Sequence, residues 1–93
     1  MMRPMVERQL VVVNRLGLHA RASAKLVQAL APFDARIRLS LRGREINAKS
    51  IMGLMMLAAT RGSVLALRAE GPDAEAAAQA AEGLFAARFG EDD

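Results

Sequence analysis

The chain has 93 residues, 53% of them hydrophobic but only 3% aromatic, with no cysteine and one histidine. That length builds one small two-layer domain without a deep cleft between lobes, which favours a carrier, binder or regulator over a large enzyme, and the missing cysteines exclude disulfides and thiolate chemistry. The formal net charge of +3 is unevenly spread: Glu7, Asp34 and Glu45 face most of the Lys and Arg in residues 1–69, whereas seven acids face Arg88 alone in residues 70–93.

Residues 1–5, "MMRPM", read as a flexible extension. Val6 to Asn14 then reads as a β-branched strand, with Leu10 and Val12 on one face and Val11 and Val13 on the other. "RLGL" turns the chain, and from Ala20 to Ala31 the spacing of Ser23, Leu26, Val27 and Leu30 predicts an amphipathic helix that Pro32 ends. "ARIRLSL" alternates strictly, Arg42-Gly43 supplies a tight turn, and Arg44 to Ala48 returns as a second strand. "KSIMGLMMLAAT" predicts a short helix with Ser50 as its N-cap. "SVLALRAE" makes the last strand with Leu65, Leu67 and Ala69 facing inward, and a helix runs from Ala74 to Phe89 until Gly90 closes it. Residues 90–93 form an acidic tail. The order β-α-β-β-α-β-α predicts an α+β fold, one antiparallel sheet with three helices on one face and Arg36, Arg38 and Arg68 on the other, in a single domain spanning 1–93.

His19 falls at the start of the first helix, where free backbone N–H groups of Ala20 and Arg21 would point at an anion. A neutral imidazole is a good nucleophile at pH 7, and Arg21 could clamp an incoming phosphoryl group bidentately. Gly17 permits a sharp turn, and Ala20 and Ala22 would leave the ring unshielded. The same residues also fit a histidine that only caps a helix. In the helix after Ser50, Leu54 and Leu57 are the expected core, while Ile51, Met52 and Met55 fit either a Met-rich core or an exposed patch that re-packs against several partners. Arg21, Lys25 and, more weakly, Arg15 would rim such a patch with positive charge.

"GLHARAS", "NAKSIMGLMMLAA" and "SVLALRAEGPD" resemble HPr, the histidine phosphocarrier family of the bacterial phosphoenolpyruvate-dependent phosphotransferase system, in register from about Val6 to Phe89. The resemblance implies an open-faced β-sandwich with strand order 1-4-2-3, and a relay protein rather than an enzyme. It implies that Nδ1 of His19 takes phosphate from phosphorylated Enzyme I and passes it to an Enzyme IIA protein or domain, with Arg21 as phosphate-site arginine. Ser50 matches the family's regulatory serine, the target of HPr kinase/phosphorylase. Many sugar-transport members read "HARP" where this chain has Ala22, and "HARAS" also resembles members of the nitrogen-related branch, so sugar uptake and nitrogen-type regulation both stay open.

No cofactor is expected, and a lone histidine without a cysteine cluster argues against a metal centre. The longest apolar run, Ile51 to Ala59 with Gly53 inside it, is too short to span a membrane, and no signal-peptide pattern opens the chain, which points to the cytoplasm; a monomer is the expected state. Stacking aromatics are missing, so nucleic acid is not the expected partner. The rival reading is a regulatory module that engages acidic surfaces through its basic body without phosphotransfer.

Overall fold

The computed structural model describes residues 4–93. Strand β1 (Met5–Val11) leads to helix α1 (Ala20–Leu30), the hairpin β2 (Arg36–Leu41) and β3 (Arg44–Asn47), helix α2 (Ile51–Leu57), strand β4 (Val64–Glu70), helix α3 (Ala74–Ala86) and a 3₁₀ turn at Arg88–Gly90. The four strands form one antiparallel sheet in the order β1-β4-β2-β3. The alternation expected of β2 and β4 holds: Ile37, Leu39, Leu65, Leu67 and Ala69 are buried beneath the helices, while Arg36, Ala66 and Arg68 are exposed on the open face. The hairpin turn places both Arg42 (φ 53°) and Gly43 (φ 81°) in the left-handed region, as a two-residue turn matched to strand twist requires.

Helix α1 turns Ala22, Ser23, Leu26 and Leu30 into the core, one stripe of a 3.6-residue period. Ala22 is thus a core residue, not a gap beside the imidazole. Helix α2 starts at Ser50, whose Oγ accepts the Gly53 N–H at 3.1 Å, and ends on Ala58 in the left-handed conformation. Replacing Ser50 by Ala leaves that N–H without its acceptor and is expected to cost about 1 kcal/mol, read as a lowered urea midpoint at unchanged slope. Asp73 stands before α3 without capping it; its carboxylate accepts the Asp34 backbone N–H at 2.7 Å instead.

Several boundaries differ from those the sequence predicts. Met5, read as part of the extension, pairs with Glu70 in β1, and Pro4 accepts the Gly71 N–H through its carbonyl; the remaining residues of that extension, 1–3, lie outside the described residues. The first strand leaves the sheet after Val11, although Val12 stays buried and exchanges hydrogen bonds with Ser63 and Gly62. The last helix stops at Ala86 rather than Phe89, because Arg88 (φ 57°) and Phe89 (φ 54°) adopt left-handed conformations. This reversal turns Phe89 into the core, 1% exposed, with its ring centroid 5.0 Å from that of Phe85. Burial of a whole phenyl ring outweighs the modest strain of a positive φ. The acidic tail that follows is consequently directed back toward α1.

Candidate functional site

The segment between β1 and α1 is tied down on both sides. Asn14, fully buried, donates through Nδ2 to the Gly17 carbonyl at 2.8 Å and so closes the turn. Gly17 has φ +68° and packs so closely on the segment after α2 that a Cβ there would stand 2.4 Å from the Ala59 carbonyl oxygen. Only glycine meets both demands. Leu18 is buried, its N–H donates to the Ala59 carbonyl at 3.0 Å, and its own carbonyl accepts the Ser23 hydroxyl at 3.2 Å.

These contacts deliver His19 to the N-cap position of α1. Its Nδ1 accepts the Arg21 N–H at 3.2 Å and, more distantly, the Ala22 N–H at 3.5 Å. The N–H groups that face the ring are therefore those of Arg21 and Ala22, rather than Ala20 and Arg21, because an N-cap side chain reaches N2 and N3. A proline at the Ala22 position would have no N–H to give; alanine supplies a donor here. An Nδ1 that accepts leaves the ring proton on Nε2, and Nε2 meets the Glu91 carboxylate.

Glu91 and Asn14 were not among the residues singled out from sequence. Glu91 divides its two oxygens, Oε2 toward His19 and Oε1 accepting Asn14 Nδ2 at 3.0 Å. The Asn14 donor holds the Glu91 carboxyl below the usual carboxylate range; burial opposes this, and the His19 hydrogen bond with the charges of His19 and Lys25 reinforces it. Asn14 Oδ1 is buried with no partner among the described residues, a penalty of about 1–3 kcal/mol set against its two donated bonds.

Arg15, Leu16, His19, Arg21, Glu91, Asp92 and Asp93 line one open cavity. Arg21 is exposed and makes no ion pair among the described residues, so its guanidinium is available to a ligand at the ring. Arg15 instead pairs with Asp93 at 3.6 Å. Lys25, expected in a docking rim, engages its ammonium with the Phe89 carbonyl and thereby fastens the turn that carries Glu91. Ile51 is 41%, Met52 73% and Met55 47% exposed, which places all three on the surface rather than in the core. Leu16 at 59% and Met56 at 61% are also exposed apolar residues, and neither is expected from the sequence. An apolar residue in a tight turn was the available signal for Leu16.

Fold and site together define a small open-faced α+β protein that presents one histidine at a helix N-terminus. A family model described as "PTS HPr component phosphorylation site" matches residues 6–87. The phosphocarrier protein HPr of Xylella fastidiosa (strain 9a5c) is 54% identical over 88 residues, covering 95% of this chain and 99% of its own. The phosphocarrier protein NPr of Shewanella violacea is 41% identical over 86 residues, covering 92% of this chain and 94% of its own. Among solved structures, an HPr from Thermoanaerobacter tengcongensis superposes with a TM-score of 0.90 at 40% identity, over 94% of this chain and 98% of that one. The chain belongs to the HPr family of phosphocarrier proteins of the phosphotransferase system.

Among the described residues no helix is long and apolar enough to cross a membrane.

Proposed function

We propose that Nδ1 of His19 accepts a phosphoryl group from phosphorylated Enzyme I, which draws it from phosphoenolpyruvate, and hands it to an Enzyme IIA protein or domain. The observation that carries this reading is the ring's orientation: the Nδ1 lone pair points at the N-terminus of α1, against the Arg21 and Ala22 N–H groups. Once that lone pair bonds to phosphorus, the same N–H groups are free to bind phosphoryl oxygens at the positive end of the helix dipole. Arg21 adds a charge-assisted clamp from the rim of the cavity. The test is incubation of the wild-type chain with labelled phosphoenolpyruvate and a cognate Enzyme I; an acid-labile label supports the carrier reading, and an unlabelled chain sinks it.

Arg21→Glu is expected to slow transfer by about 10–100-fold, the worth of one charge-assisted hydrogen bond of about 1.5–3 kcal/mol. An acid in the first helical turn is electrostatically comfortable, so the melting temperature should hardly change. Parallel loss of melting temperature and transfer would count against the clamp.

Exposed Ile51, Met52 and Met55, with Leu16 beside the cavity, support docking of Enzyme I and Enzyme IIA by adaptable apolar contact. Ser50, half-buried at the head of α2, is the proposed target of HPr kinase/phosphorylase, where a phosphate would add negative charge beside this surface. Relay, docking and modification together describe a cytoplasmic monomer serving sugar uptake or phosphotransferase-based regulation. Ala22 carries little information on which branch it serves, since its methyl group lies in the core.

A further inference from the structure

We propose that Asn14 and Glu91 are positioning residues for His19: Asn14 holds the Glu91 carboxylate, and the carboxylate holds the proton on Nε2, so that Nδ1 alone presents a lone pair. This deepens the function proposed above and rests on His19 being the phosphoryl acceptor.

The orientation of the Asn14 amide is determined by its surroundings. Its neighbours are the Gly17 carbonyl at 2.8 Å and Glu91 Oε1 at 3.0 Å, both acceptors, so its NH₂ must face them and its Oδ1 is left without a donor among the described residues. A buried amide locked in this way is a fixed donor for one carboxylate oxygen. The other oxygen meets Nε2 of His19. Glu91 is held from both sides along the chain. On one side Phe89 is sunk in the core with its carbonyl bonded to Lys25; on the other the Asp93 carbonyl accepts the Arg15 N–H at 2.9 Å. The carboxylate is thus part of a built site, not a loose acid on a frayed end.

The chemistry gives this arrangement a use. As phosphoryl transfer proceeds, the Nδ1 lone pair forms the N–P bond, while the bond from phosphorus to the donor breaks and its electron pair stays with the donor. Nε2 keeps its proton throughout, so the ring gains positive charge, and a carboxylate at Nε2 offsets that charge as it develops. In onward transfer the N–P electron pair returns to the ring and Nδ1 is again free. A ring that carries its proton on Nδ1 has no lone pair there to attack with. The helix N–H groups disfavour that tautomer from one edge and Glu91 from the other.

The test uses the intact chain, in which His19 is the sole histidine and gives one pair of ring nitrogen signals. Glu91→Ala removes both acceptor and charge, Glu91→Gln restores an acceptor without charge, and Asn14→Asp sets a second carboxylate against the first. Ring ¹⁵N shifts of the isolated proteins near pH 8 report the tautomer, and time courses with Enzyme I and phosphoenolpyruvate report transfer. The expected wild-type ring carries its proton on Nε2. In Glu91→Ala and Asn14→Asp the two nitrogens should move toward each other and label uptake slow about tenfold, a representative effect of a misplaced proton. Glu91→Gln should recover the shifts only in part, because its NH₂ meets the fixed Asn14 donor, and should not recover the rate. Ring shifts and rates that match the wild type in Glu91→Ala overturn the proposal, as does a lowered melting temperature with unchanged shifts. The shifts need no partner protein, so a wild-type chain that takes up no label defeats the carrier reading separately from the positioning roles.

Discussion

A His19→Ala chain is expected to take up no phosphoryl label from phosphoenolpyruvate and Enzyme I under conditions that label the wild type. The reason is chemical: no other imidazole exists in the chain, and the absence of cysteine removes the thiolate alternative. Loss of the N-cap side chain leaves the Arg21 and Ala22 N–H groups to water, at a cost of about 1 kcal/mol, too little to unfold a domain of ordinary stability. His19→Asn separates the two effects more sharply. Asparagine is a strong N-cap and should hold the melting temperature near the wild-type value, yet it offers no nucleophilic nitrogen. Label on either variant would place the acceptor elsewhere. Retained partner binding without label in the wild type would instead describe a regulatory module that works through its basic surface.

Phe89→Ala is expected to give the largest loss of stability, about 3–5 kcal/mol, because the ring is fully buried against Phe85 and neighbouring helices fill only part of the space it leaves. For a chain of this size that lowers the melting temperature by roughly 15–30 °C. The same substitution should also loosen the turn that carries Glu91, since Lys25 holds the Phe89 carbonyl and Glu91 follows two residues on. Transfer measured well below the melting transition should therefore fall as in Glu91→Ala. A shift of only a few degrees would show that the ring is not the anchor of the tail. Full-rate transfer by the folded variant would show that the anchor has no bearing on the site.

Most of the scaffold was legible because its signals are local. Strict alternation in "RIRLSL" and "VLALRAE" reports which side chains lie under the helices, and Arg42-Gly43 and Ser50 mark a turn and a cap within a few residues of the elements they serve. His19 was legible for the same reason, as a lone imidazole before an amphipathic helix. Strand order was not: alternation says that a strand has one buried face, not which strand lies beside it, and 1-4-2-3 entered through family resemblance. Phe89 shows a different limit. Apolar spacing carries the helical pattern on to Phe89, and nothing in "ARFG" announces that two residues will take positive φ to fold a ring inward.

The division within the site has a physical origin. From the sequence alone follow the lone imidazole before a helix, the arginine two residues on, the glycine turn and the apolar helix after Ser50, since each depends on neighbours within one or two turns of chain. Tertiary structure alone decided that Lys25 fastens the tail, that Ala22 belongs to the core, and that Asn14 holds the Glu91 carboxylate against the ring. Glu91 lies 72 residues from His19 and 77 from Asn14, in a run of acids that reads as a solvated end. Its contact depends on how Phe89 packs, and packing is a property of the assembled core that no local pattern encodes.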